Sequence, residues 1–176
     1  PVHLIKHLAA TIYHRMMVVA PHFDGIGFYH LKKKNKHLLV YFYSQKIRPK
    51  KDKAMIYPAP NQRKVEVAML PEIPDPFPGD GNVGFPITLQ NFTASSKGVP
   101  ILIKAHLKDS KGNRVPIYKL SSKSSGLAGQ LMRNLKMVCI AAKNQLKKRT
   151  KYTVYLKAKN QDGKIILDKE WQFKTR

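Results

Sequence analysis

From Gly84 to the end of the chain, apolar side chains recur at every second position. Phe85, Ile87 and Leu89 alternate with Pro86 and Thr88, and Ile101, Ile103, Ala105 and Leu107 alternate with Leu102, Lys104, His106 and Lys108. A third set, Leu135, Met137, Cys139 and Ala141, precedes Tyr152, Val154, Leu156 and Ala158, and then Trp171, Phe173 and Thr175. Successive side chains of a strand point to opposite faces, so a period of two gives each run one apolar face. Turn sequences such as SKGN (110–113) and NQDGK (160–164) divide the runs. Short half-buried strands separated by turns are the pattern of a β-sandwich, and about ninety residues suits seven or so strands. The small, polar segment SSKSSGLAG (121–129) reads as a mobile loop inside that domain. Cys139 lies on one of the alternating runs and is expected to face the sandwich core.

The N-terminal part reads differently. Val2, Ile5, Leu8, Ala9, Ile12, Met16 and Met17 follow a 3.6-residue period with no Gly or Pro, which predicts a helix over 2–17 that stops before Pro21. On that helix His3, His7 and His14 share one stripe. A His pair at i, i+4 is a recurring grip for zinc, so the three are candidate metal ligands; the alternative is a polar edge on an amphipathic helix. GIGFYHL (25–31) and HLLVYFYS (37–44) flank KKKNK and predict an antiparallel hairpin with lysines at its tip. Prolines 58, 60, 71, 74, 76 and 78 then predict an irregular, extended linker over 56–81. The expected domains are therefore 1–55, the linker 56–81 and the sandwich 82–176.

Lys and Arg number 33 against 10 Asp and Glu, a formal charge of +23 that favours anionic partners. The densest basic clusters supply Lys32, Lys33, Lys34 and Lys36, then Lys50, Lys51 and Lys53, then Lys147, Lys148 and Arg149, the candidate anion-binding residues. Nucleic acid, teichoic acid, lipopolysaccharide and anionic lipid all present phosphates to such residues. Aromatics near the first cluster (Phe28, Tyr29, Tyr41, Phe42, Tyr43) fit a nucleic-acid groove, but alternation assigns several of them to a sheet core. The single cysteine excludes an intrachain disulfide framework. Catalysis by this chain alone is disfavoured: the N-terminal region supplies no facing pair of carboxylates, and no phosphate-cradling Gly loop or zinc ribbon is present. Asn91-Phe92-Thr93 forms a glycosylation sequon. Pro1 is not an initiator residue and no signal peptide opens the chain, so an upstream segment is expected.

The stretch AATIYHRMMVVAPHFDGIGFYH resembles the second half of the bacterial branch of the CAP superfamily, the SCP-like group of cysteine-rich secretory, antigen 5 and pathogenesis-related proteins. The resemblance rests on His14, Arg15, Pro21, Gly25 and Gly27 in that order. MIYPAP, EIPDPFP, VGFPITL, LKDSKGNRVPIY and the terminal TKYTVYLKAKNQDGKIILDKEWQFKTR resemble the immunoglobulin-like or fibronectin-like module that follows CAP domains in such proteins. The resemblance implies a mostly-β chain: a truncated CAP α-β-α remnant, a proline-rich linker, then an immunoglobulin-like β-sandwich. It implies a bacterial, extracellular or cell-envelope location and noncatalytic binding to an anionic envelope polymer or lipid surface, placed ahead of nucleic acid. It also places His14 as a remnant of the CAP cleft, with the first family histidine and both acids upstream of Pro1. The alternative it implies is a fragment of a CAP hydrolase or metal-dependent enzyme completed by those residues. A lone helix and hairpin bury little, so Ile26, Phe28, Leu39, Tyr41 and Tyr43 are expected to be covered by the sandwich, the linker, an N-terminal fragment, a protein partner or a second copy.

Overall fold

A computed structural model describes residues 2–15, 19, 23–34, 36–45 and 53–176. In chain order the elements are α1 (Val2–Ala9), β1 (Phe23–Lys33), β2 (Lys36–Gln45), β3 (Lys53–Tyr57), β4 (Ile87–Phe92), β5 (Ile101–Lys108), β6 (Arg114–Val115), β7 (Ile117–Leu120), α2 (Gly126–Asn134), β8 (Met137–Ala142), β9 (Lys151–Lys159) and β10 (Ile165–Lys174). β1 and β2 form the expected hairpin as a sheet of their own, turning at Lys34 with φ 53°. The side chains of Ile26, Phe28, Leu39, Tyr41 and Tyr43, through which its cover was expected, lie outside the described residues.

The remaining strands build the sandwich, a mostly-β fold as the alternation predicts. One sheet has the order β3-β4-β8-β7 and the other β10-β9-β5-β6, with antiparallel pairing throughout. Taken in chain order, these are the immunoglobulin arrangements A-B-E-D and G-F-C, with one added strand beside C. The chain changes sheets between β6 and β7 at Pro116, whose missing N–H removes a ladder donor at that point. At the start of β9 the Lys147 N–H donates to the Tyr152 hydroxyl at 2.8 Å, the tyrosine corner expected at this place in an immunoglobulin-like sandwich. Between the sheets lie Ile87, Leu89, Val138, Ile140, Val154, Leu156, Trp171 and Phe173, all buried. The Trp171 indole N–H donates to the Pro58 carbonyl at 2.9 Å.

A second core covers the other face of the first sheet, where Met137, Cys139 and Ala141 of β8 pack with Ile12, Tyr13, Phe77, Val83, Leu120 and Met132. Cys139 therefore faces an outer layer and not the space between the sheets, which corrects the expectation for it. Every residue of β4 and β8 is buried, the condition of a strand enclosed on both faces. The molecule is thus three layers deep on this side.

That outer layer departs from the sequence reading at both ends. The helix predicted over 2–17 stops at Ala9. The Glu72 carboxylate accepts the N–H groups of Ile12 and Tyr13 at 2.5 and 3.0 Å, so those donors leave the helical ladder for a partner sixty residues away. The Thr11 hydroxyl bonds back to the Leu8 carbonyl at 2.7 Å, a local competitor of the kind that ends helices. Conversely, SSKSSGLAG leads into α2 where a loop was expected. Nine residues are too few to hold a helix in water, and Met132, fully buried in the second core, stabilises this one by packing. Gly129 permits the tight turn before it: a Cβ there would stand 1.8 Å from the Ser124 carbonyl oxygen.

The proline-rich stretch is irregular, as expected, yet it is sewn to the sandwich. β3 already pairs with β4, so the boundary read at 55/56 falls inside a strand. Residues 61–65 run along the outer edge of β10 through Asn61 N to Gln172 O, Lys174 N to Gln62 O, and Val65 N to Lys174 O, at 2.7, 2.8 and 3.1 Å. Val67 O accepts the N–H groups of Phe85 and Leu146, and Met69 N donates to Val83 O, which crosses the second boundary at 81/82. A segment laid on β10 protects an edge that is otherwise open to pairing with another chain.

Candidate anion-binding face

The second sheet has an open side. Tyr152, Val154, Leu156 and Ala158 of β9 point into the core, so Lys151, Thr153, Tyr155, Lys157 and Lys159 point outward. By register, Lys174, Gln172, Glu170 and Asp168 of β10 flank them on one side, and Lys108, His106 and Lys104 of β5 on the other, with Arg114 beside Lys108. This face therefore carries Lys104, Lys108, Arg114, Lys151, Lys157, Lys159 and Lys174 against the carboxylates Asp168 and Glu170.

Of those two carboxylates, Asp168 is already engaged. Asp168 accepts from Lys157 at 2.7 Å and from the Tyr155 hydroxyl at 2.8 Å, contacts that hold its pKa below the usual carboxylate value. Glu170 lies 3.8 Å from His106 Nε2. The His106 ring stacks on Tyr155 with centroids 5.1 Å apart, and its nitrogens are buried without a hydrogen-bond partner. Burial, followed by the charges of Arg114 and Lys108, keeps the His106 pKa below the ordinary value. Lys104 Nζ sits 5.8 Å from the Tyr155 centroid, so the one tyrosine in the middle of this face is occupied by its neighbours.

At one end of the face a surface groove is lined by Asn61, Arg63, Lys151, Gln172, Phe173 and Lys174. Lys151 and Lys174 are directly opposite one another in the β9–β10 register. The sequence-named Lys147, Lys148 and Arg149 form the exposed turn that leads into β9 at this same end. The buried Thr175 hydroxyl holds that turn, donating to the Lys147 carbonyl and accepting from Thr150 N, and Arg149 N donates to the Arg176 carbonyl.

The other sequence-named cations are dispersed. Lys32, Lys33 and Lys34 are exposed at the hairpin tip, and Lys53 is exposed at the start of β3. Lys50 and Lys51, and the side chain of Lys36, lie outside the described residues. What the sequence reading missed is the contribution of Arg63, Lys151 and Lys174. The pattern of Lys151 beside Tyr152 and Lys174 beside Phe173 marks both lysines as outward, but nothing local announces that the two face each other or that Arg63 joins them.

The N-terminal candidates are not brought together among the described residues. His14, whose side chain is 40% exposed, brings Nδ1 within 3.2 Å of the buried Glu72 carboxylate. α1 ends before His14, so helical spacing does not carry it into line with His3 and His7. The side chain of His3 lies outside the described residues, and His7 lines a different groove with Lys6, Glu66 and Arg176. Among the described residues no group of three His, Cys, Asp or Glu side chains is disposed to hold a metal ion. Arg15 is fully buried: Nε donates to Ala9 O at 2.8 Å, Nη1 to Pro86 O at 2.6 Å and to Thr88 Oγ1 at 3.1 Å. Its guanidinium lies 4.8 Å from the centroids of both Tyr57 and Phe85, and burial lowers its pKa to about 10. It remains a cation at neutral pH and clamps the N-terminal layer to the sandwich.

Burial also pushes the Cys139 thiol up to about 12 and the Tyr13 phenol up to about 12. Neither group is a nucleophile near neutral pH, because nucleophilicity belongs to the ionised form. The Asn91 amide of the sequon is buried and donates to the Gly98 carbonyl at 2.8 Å, so it does not present an acceptor to a glycosylating enzyme.

Fold and site together define an immunoglobulin-like β-sandwich with one basic open face. No protein-family model matches the chain, and no curated protein matches it.

Proposed function

We propose that this chain is a noncatalytic binding module of a CAP-like secreted or envelope protein, and that it engages an anionic polymer or lipid surface through the open face of the second sheet. The observation that carries this reading is the imbalance on that face. Asp168 is held by Lys157 and Tyr155, which leaves Glu170 as the one open carboxylate named on the face, while Lys104, Lys108, Arg114, Lys151, Lys159 and Lys174 extend from the same side of one sheet. Elsewhere among the described residues three further acids are engaged: Glu66 pairs with Arg176, Asp162 with Lys97, and Asp109 accepts backbone N–H bonds in its own turn. Unneutralised cations on a rigid plane attract polyanions by their summed field. The CAP-like and envelope parts of the proposal rest on His14, Arg15, Pro21, Gly25 and Gly27 in the family's order.

The test is binding of the chain to anionic vesicles and to a soluble anionic polymer across a salt series. With about four phosphates engaged, affinity is expected to fall roughly 50-fold between about 50 and about 200 mM salt. Absence of binding at low salt, or binding that ignores salt, contradicts the proposal. Nucleic acid is the less favoured ligand, because base stacking needs an accessible aromatic face and Tyr155 is taken up by His106 and Lys104.

One observation favours the alternative of an enzyme fragment: the contact of Glu72 with His14 orients a half-exposed imidazole as general bases are oriented. Against it, Glu72 is also bonded to two backbone N–H groups, which suffices to explain its burial. Activity restored by upstream residues and abolished by His14→Ala would establish that alternative.

A further inference from the structure

We infer that the groove between residues 61–63 and the β9–β10 pair is a preformed site for a phosphate group of a polymeric phosphate, formed by Arg63, Lys151 and Lys174. This inference rests on the proposed binding role of the same face and names where on it the ligand is gripped.

The first argument is the arrangement of like charges. Lys151 and Lys174 are cross-strand partners, a pairing that places their Cβ atoms about 5 Å apart and costs stability when both are charged. Arg63 is brought to the same groove from a different segment, and among the described residues no carboxylate lines it. An unneutralised cluster of this kind is relieved by a bound anion, so ligand binding and stability are coupled there.

The second argument is preorganisation. Asn61 sits in the left-handed region at φ 61°, with its N–H on the Gln172 carbonyl, and the Gln62 carbonyl accepts from Lys174 N. The Gln62 side chain accepts from Ala59 N at 2.8 Å and donates to the Tyr57 hydroxyl at 3.0 Å. Val65 N bonds to Lys174 O at 3.1 Å on the far side of Arg63. The backbone that carries Arg63 is therefore fastened to the strand that carries Lys174 both before and after it. The backbone entropy of bringing the three positions together is lost on folding, and only the side-chain entropy of the cations is left to be lost on binding.

The third argument is chemistry and size. Guanidinium presents a planar fork that matches phosphate oxygens, two ammonium groups supply point charges, and the exposed amides of Asn61 and Gln172 are neutral donors to the remaining oxygens. The groove volume is about 390 Å³, larger than a single phosphate ion and suited to a phosphate with the chain on either side of it. At the same end lie Lys147, Lys148 and Arg149, in position to follow the polymer out of the groove.

The experiment uses inorganic polyphosphate as the probe, with the unaltered chain, R63Q/K151Q/K174Q, and K32Q/K33Q/K34Q, which removes the same charge from the hairpin tip. The groove variant is expected to lose at least about ten times more affinity than the tip variant, and the salt slope to fall by about two units. Without ligand at low salt, the groove variant is expected to melt above the unaltered chain, because the Lys151–Lys174 repulsion is gone. Addition of polyphosphate is expected to raise the melting temperature of the unaltered chain and of the tip variant, and to raise that of the groove variant least. Equal loss of affinity in the two variants overturns the groove site and leaves the broader proposal standing. No binding by the unaltered chain at low salt overturns both, and phosphatidylglycerol vesicles binding the groove variant as tightly as the unaltered chain while polyphosphate does not bind at all also overturns the polymer assignment.

Discussion

The two sheets of the sandwich share a core, but their outer faces have opposite fates. In the first sheet, β8 reads MVCIAA and is buried at every position, because α2, the N-terminal segment and part of the proline-rich stretch cover it. In the second, β9 reads KYTVYLKAK and alternates between buried and solvated positions along its length. The difference shows where the molecule has spent its apolar residues and where it has left charge. A face sealed by Arg15, Met132 and Ile12 is structural, and the face that remains open is the one on which cations gather.

The clamp between the N-terminal layer and the first sheet is the strongest test of that contrast. Arg15→Ala removes three buried hydrogen bonds and two ring contacts, leaving the Ala9 and Pro86 carbonyls without that donor, and is expected to cost about 3 kcal/mol or more in denaturant unfolding, at about 1–3 kcal/mol per buried acceptor left unsatisfied. A cost below about 1 kcal/mol would mean that the layer is not part of the cooperative unit.

Next in size is the pair Met132→Ala in the second core and Leu156→Ala between the sheets, each expected to cost about 2–5 kcal/mol. If Met132→Ala were nearly neutral while Leu156→Ala were not, the first sheet would have only one true core. Tyr152→Phe removes the bond from Lys147 N and is expected to cost about 1 kcal/mol, which an equilibrium melt resolves.

The open face makes a pH prediction. His106 has a lowered pKa in the folded chain, so below about pH 6.5 the unfolded chain binds the proton more readily and stability is lost as pH falls. The groups facing it are Arg114, Lys108, Lys104, Glu170 and Tyr155. His106→Phe is expected to flatten the stability profile between about pH 6.5 and 5; an unchanged profile would show that His106 is not held neutral. The smallest effect concerns Cys139, which is expected to stay unreactive toward a thiol reagent near neutral pH until denaturant is added.

In β5 a register shift between Leu102 and Lys104 breaks the predicted alternation, so Ile103 is exposed and Leu102 packs on the core; the rest of the alternating half was legible because β9 and the end of β10 have one wet face, and periodicity reports that asymmetry. It misassigned Cys139 because alternation tells which residues share a face but not what lies beyond each face. The helix of residues 2–17 was over-read for a similar reason: Glu72, whose carboxylate takes the donors of Ile12 and Tyr13, is remote in sequence and gives no local sign. α2 was hidden by composition, since the small residues that suggest a loop also permit the close contact of Gly129 with Ser124. The candidate site was legible as charge and illegible as geometry. Lysine runs drew attention to the tip and to 147–149, whereas the groove is assembled from single cations on three separated segments.

The most direct test of the contrast between the faces is lysine acetylation with and without a saturating anionic polymer at low salt. The expected result is slowed modification of Lys104, Lys151, Lys157 and Lys174 on the open sheet, with Lys119 of β7 and Lys123 before α2, both outside that sheet, unaffected. Uniform slowing of all lysines, or protection concentrated at Lys119 and Lys123, would contradict the assignment of the open face as the binding surface.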